Sequence, residues 1–142
     1  MARLVRSILC KRVITDRDTN DVSYIDCVEQ LAPKKLPAPL PRLFLATLWK
    51  PDDTGEAPRL RVVVKGPDGK DVADTEFPPV SIHPEHSSHR ININLQGAPV
   101  RRYGEHVVRV EVRGEDAKRW RKLAEIPLHI VEPLSDDTPP VE

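Results

Sequence analysis

Proline occurs fifteen times in this chain of 142 residues, at positions 33, 37, 39, 41, 51, 58, 67, 78, 79, 84, 99, 127, 133, 139 and 140. Its ring fixes φ and removes the amide donor, so it breaks helix interiors and is rejected from central strands. Prolines spread this way leave no room for a bundle of long helices. Short apolar runs with a period of two lie between them, and these read as strands with the prolines in the loops. Eleven prolines mark loops, three fall in the terminal segment, and Pro127 alone interrupts an apolar run.

The runs predict the elements. Residues 4–14 place Leu4, Ile8, Cys10 and Ile14 on one face and Val5, Leu9 and Val13 on the other, a strand covered on both sides. Residues 15–21 are Asp, Asn and Thr turn formers, and 22–31 form a second run, so the two read as a hairpin. If its turn centres between Asp18 and Thr19, facing residues sum to 37, which sets Cys10 opposite Cys27. Residues 33–41 are a stiff, extended, Pro-rich connection. Residues 42–49 are apolar on both faces, the mark of a central strand. In 59–65, Leu60, Val62 and Val64 alternate with Arg59, Arg61 and Lys65, and Val63 is the exception. Gly66, Pro67, Asp68 and Gly69 form a turn before a weaker edge strand over 70–77. Residues 90–95, 106–113 and 120–131 complete the set, with Pro127 predicting an edge or a bulge in the last. Seven or eight mainly antiparallel strands with frequent turns predict an all-β, two-sheet β-sandwich over residues 1–131, followed by a disordered acidic, Pro-rich tail at 132–142.

Several segments carry a resemblance. The stretch from Cys10 through Val13, Ile14, Asp16, Thr19, Val22 and Ser23 to Ile25 is similar to the opening of a group of small bacterial domains of unknown function. Pro37, Pro41, Phe44 and Leu48 resemble that family's Pro-rich entry into its third strand, and the Pro67-Asp68-Gly69 turn and the segment from Gly104 to Val110 fit it too. The resemblance spans roughly residues 8–131. It implies an immunoglobulin-like sandwich and brings no catalytic residues with it. Two positions depart from the pattern: Asn20 and Asp21 stand where a glycine is usual, and His106 stands where an aromatic is more common.

Composition narrows the function. Lys and Arg number 22, as do Asp and Glu, so the chain is neutral and lacks the basic field of a nucleic-acid or anionic-membrane binder. The tail carries four acids (Glu132, Asp136, Asp137 and Glu142), which leaves the rest about +4. No apolar stretch approaches a membrane span of ~20 residues, and none follows the N-terminal basic residues as a secretory signal would require. Two cysteines make no disulfide framework, so a cytoplasmic protein with reduced thiols is expected.

Four constellations are candidate sites. His83, Glu85, His86 and His89 offer nitrogen and oxygen ligands at close spacing, the chemistry of a zinc loop. Asp16, Asp18, Asn20 and Asp21 alternate oxygens as calcium loops do, and Asp52, Asp53, Asp68 or Asp71 could join them. That loop has Asp21 and Cys27 where an EF-hand needs Gly and Glu. Cys10 and Cys27, if adjacent, form a redox or metal-holding pair, or two small buried apolar residues. Arg101, Arg102 and Tyr103, with Trp120 and its basic neighbours, have the residue types of a protein-binding rim. No phosphate loop, nucleophile elbow or catalytic triad is present in the sequence. The expectation is a non-enzymatic interaction or assembly module without a cofactor, binding a protein partner or a second copy of itself. The alternatives are a zinc protein or metal-dependent enzyme built on the His loop, and a calcium-dependent carbohydrate or lipid binder.

Overall fold

The computed structural model describes residues 2–52, 57–79, 85 and 88–134. The tail expected beyond 131 lies outside the described residues from 135 on. Strands dominate, in chain order: β1 (Arg3–Thr15), β2 (Val22–Cys27), β3 (Gln30–Leu31), β4 (Ala38–Pro39), β5 (Phe44–Lys50), β6 (Arg59–Lys65), β7 (Asp71–Phe77), β8 (His89–Asn94), β9 (Pro99–Val100), β10 (Gly104–Arg113) and β11 (Arg121–Ile130). Three of these eleven are only two residues long, which leaves eight substantial strands among the described residues, within the predicted seven or eight. No helix occurs among the described residues.

Two sheets form. One has the order β2-β1-β5-β8, the other β3-β11-β10-β6-β7, and β4 pairs with β9 apart from both. Every pairing is antiparallel except β3 with β11. Neighbouring β5 and β8 in one sheet, with β11, β10, β6 and β7 in sequence in the other, give the connectivity of an immunoglobulin-like sandwich.

The core follows from parity. Leu43, just before β5, and Leu45 and Trp49 of β5 pack in one buried core with Leu60, Val62 and Val64 of β6 and Val108, Val110 and Val112 of β10. Two polar side chains share this interior. The Trp49 Nε1 donates to Thr47 Oγ1 at 2.8 Å, and Thr47 Oγ1 donates to the Ile91 carbonyl at 2.6 Å, so neither group is left unsatisfied. His106 is also buried, with Nδ1 3.1 Å from the Gly104 carbonyl oxygen.

The run over 22–31 is not one strand. Asp26 adopts φ +54°, β2 stops at Cys27, and Gln30 and Leu31 pair with β11 in the opposite sheet. Val28 is buried between the two, and its N–H donates to the Leu9 carbonyl at 2.8 Å. The chain therefore passes from one sheet to the other on this side and closes the sandwich there. Among the described residues β11 is bordered on its outer side by β3 alone, at His129 and Ile130, so Pro127 sits beyond that pairing. The ladder of β10 and β11 also shifts register between Val110 and Glu111. The predicted edge position thus holds for most of the strand.

The β1–β2 hairpin does something the sequence did not announce. Its register is the predicted one, with Cys10 opposite Cys27 and Val13 opposite Tyr24. The Arg6 guanidinium, at the level of Leu48 in the sheet, lies 5.7 Å from the Tyr24 ring centroid. Arg90, also at the level of Leu48, donates from Nη2 to the Asn20 carbonyl at 3.3 Å. In a straight ribbon Asn20, at the hairpin tip, would stand ~30 Å from that level. The ribbon must therefore curl back over the outer face of its own sheet as a flap. By strand parity Cys10 and Ala46 point to that outer face, yet they are 0% and 2% exposed. The flap accounts for their burial.

Candidate functional site: the open side of the sandwich

The predicted metal loop is only partly within view. His83 and His86 lie outside the described residues, Glu85 sits in a turn, and His89 opens β8 opposite Trp49. Among the described residues no group of three or more His, Cys, Asp or Glu stands close enough to hold a metal ion.

The acidic turn at 16–21 is occupied by its own backbone. Asp16 Oδ1 accepts the N–H groups of Asp18 at 2.8 Å and Thr19 at 3.0 Å, and Thr19 Oγ1 accepts that of Asp21 at 3.2 Å. The Thr19 and Asp18 amides hold the Asp16 carboxyl below its ordinary range. This is the Asx-turn chemistry that makes Asp a good turn residue. Asp68 does the same for the Lys70 amide at 3.1 Å, and Asp71 pairs with Lys65 Nζ at 2.7 Å. Asp53 is outside the described residues.

The basic–aromatic residues divide into two places. Tyr103 precedes β10 at its start, and its hydroxyl donates to the Pro33 carbonyl at 3.3 Å while its ring packs on the core. Arg101 and Arg102 are exposed beside a hollow of about 280 Å³ that Asp68 and Asp71 also line. Trp120 lies at the other end of the ladder, next to Arg121, which pairs with Val112. Arg61 and Arg113 stack on its ring, 4.6 and 5.0 Å from the centroid. Gly104 and Val112 are separated by roughly 27 Å of strand. The structure does not bring these four residues into one rim.

The predicted edge strand over 70–77 is the terminal β7, but sequence reasoning missed the cleft beside it, on the side opposite the sheet switch. β7 and β8 end their respective sheets, and nothing among the described residues pairs with their outer edges. Between them a cleft of about 450 Å³ enters the sandwich, lined by Ala73, Thr75 and Phe77 of β7 and by Ile91 and Ile93 of β8. Its floor includes Val62 and Val64, which belong to the core. The cleft forms between strands of different sheets, so no local pattern encodes it. The only sequence signal was the thin apolar content of 70–77, where Thr75 takes an inward position. On the outer face of the same strand Asp74 and Glu76 are exposed.

Comparisons with known proteins supply a family and no chemistry. A model described as "Family of unknown function (DUF6941)" matches residues 6–130. No curated protein matches the chain. Among solved structures, the chain is similar to an immunoglobulin-like protein from Pseudomonas aeruginosa. That match has 16% identity and a TM-score of 0.43, covering 92% of this chain and 97% of that one.

Proposed function

The chain belongs to the family of unknown function DUF6941, and since membership supplies no activity, we propose from the geometry that it is a non-enzymatic protein-interaction module whose partner adds a strand at β7. One observation carries this reading: the outer edge of β7 runs beside a cleft floored by core valines. A free edge offers unpaired backbone donors and acceptors, and natural proteins either block such an edge or use it. An added strand would gain main-chain hydrogen bonds, while alternate side chains would enter the cleft and give specificity. The outward Asp74 and Glu76 define the other half of the pattern, because cross-strand pairs favour opposite charge. The partner segment is therefore extended, with apolar residues alternating with Lys or Arg.

The test is peptide-display selection on the full chain, followed by hydrogen–deuterium exchange with the selected peptide. Selected sequences should alternate apolar and basic residues over ~5–8 positions, a usual strand length. They should slow exchange of the amides in 71–77. Thr75 is exposed and lines the cleft, so Thr75→Arg should weaken binding at least tenfold and leave the melting temperature nearly unchanged. Protection confined to other strands, or full binding by Thr75→Arg, overturns the reading.

A further inference from the structure

Cys10 and Cys27 are directly opposite each other in the ladder of β1 and β2. Opposed residues in an antiparallel pair have Cα atoms ~4.5 or ~5.5 Å apart, depending on whether they exchange hydrogen bonds. Both separations fall inside the ~4.4–6.8 Å span that a disulfide bridges. Both thiols are free. Their surroundings differ sharply: Cys10 is 0% exposed under the flap, whereas Cys27 is exposed. Burial, and then the neighbouring Cys27, push the Cys10 thiol up from its ordinary pKa.

The pair also sits at a special point of the fold. Asp26, next to Cys27, has φ +54°, and the ladder is interrupted between the pairs Cys10–Cys27 and Arg12–Ile25. Beyond that interruption the ribbon curls over the sheet. Before it, the chain leaves for the opposite sheet through Val28. Cys10 and Cys27 thus form the last pair at the base of the flap.

We propose that Cys10 and Cys27 are a reversible thiol–disulfide couple that takes two electrons' worth of oxidation from a peroxide and pins the base of the β1–β2 flap. The exposed Cys27 thiolate attacks one peroxide oxygen. An S–O bond forms, the O–O bond breaks, and for hydrogen peroxide the other oxygen leaves as water after taking up a proton. The Cys10 sulfur, as thiolate, then attacks the Cys27 sulfenic sulfur. The S–S bond forms, the S–O bond breaks, and a second water leaves carrying the Cys10 proton. In sum, two thiols and one hydrogen peroxide give one disulfide and two waters. Exchange with a dithiol reductant reverses the change. The assignment is independent of strand addition at β7, since it concerns the other edge of the molecule and is read by different chemistry.

The test uses the full chain, reduced and then titrated with hydrogen peroxide. Intact mass should fall by two hydrogens per monomer, thiols counted after denaturation should drop from two to none, and the protein should run as a monomer on a non-reducing gel. Dithiothreitol should restore the original mass. Hydrogen–deuterium exchange should slow in 22–27 by about tenfold or more in the oxidised form. In Cys10→Ala the resolving sulfur is gone, so Cys27 should trap dimedone as a sulfenic acid. In Cys27→Ser the buried Cys10 should stay reduced at the same peroxide dose. Wild type that gains oxygen at Cys27 while Cys10 remains a free thiol overturns the proposal. Disulfide-linked dimers through Cys27 in place of the intrachain bond overturn it equally.

Discussion

Arg61 shows how a charged residue is held on the outer face of the five-stranded sheet. Its Nη2 meets Glu111 Oε2 at 2.7 Å, with the side chains 22% and 9% exposed, and Trp120 covers the guanidinium. Burial works against the arginine's charge, but the hydrogen bond and charge of Glu111, aided by Asp74 and Glu76, outweigh it and raise its pKa. Removing the carboxylate leaves a half-buried cation without its acceptor. Glu111→Ala should therefore destabilise by about 1–3 kcal/mol, read as a lower urea midpoint at an unchanged slope. Replacing both partners with apolar residues should cost less than the single change. Gly104 is a second sensitive position. Its φ is +131°, and a Cβ built there would lie 2.8 Å from Pro67 Cγ. Gly104→Ala should cost about 1–3 kcal/mol through strain at that backbone angle and contact with the turn at Pro67. The same urea titration checks it.

The elements divide by how local their determinants are. β6 and β10 were readable because alternation of valine with charged residues is a property of consecutive residues. The register of β1 with β2 was readable because Asp and Asn mark the turn and fix its centre. The break inside 22–31 was not, since Asp26 takes its left-handed angle without the glycine that would have advertised it. Cys10, Ala46 and Val63 point outward by parity and are nevertheless buried, which depends on what the surrounding chain lays over them. The candidate sites follow the same division. Tyr103 and Trp120 resemble each other in local context, and only the length of β10 separates them. The cleft at β7 arises between two sheets, and its one local trace is the thin apolar content of 70–77. The flap itself offers a prediction at this scale. Arg90 holds the tip through an exposed bond to the Asn20 carbonyl. Arg90→Ala should speed amide exchange over 16–21 while changing global stability by less than about 1 kcal/mol. Unchanged exchange there would mean that the tip is held by other contacts.

At the scale of the whole molecule the sandwich is asymmetric. One side is sealed by the chain itself, as Val28 crosses between the sheets and β3 joins β11 in parallel. The other side ends in β7 and β8, each with one neighbour among the described residues. Central strands are paired on both flanks and filled with residues less than 3% exposed, such as Leu45, Val62, Val108 and Val110. Local opening should therefore be graded across the sheets. In native-state hydrogen exchange, β10, β6 and β5 should exchange only through global unfolding, and β7 and β8 through smaller openings of lower free energy. Uniform protection across β5, β6, β7, β8 and β10 would contradict that gradient. The same gradient suits the proposed role, because a strand can be added only where one is not already paired.

The two tryptophans stand in environments that differ in optical as well as chemical terms. Trp49 is 2% exposed, with its indole N–H bound to Thr47, on a strand adjoining β8. Trp120 lies on the opposite sheet's outer face between two guanidinium groups, a setting in which cations lie against the indole ring. Their emission should therefore be separable, blue-shifted for Trp49 and quenched for Trp120. A single-tryptophan variant of each kind makes the protein its own reporter. Trp49 would signal events in the interior and along the open side, and Trp120 would signal loss of the charged lattice on the far face. Trp120→Phe would leave an indole that reads core opening without an attached dye.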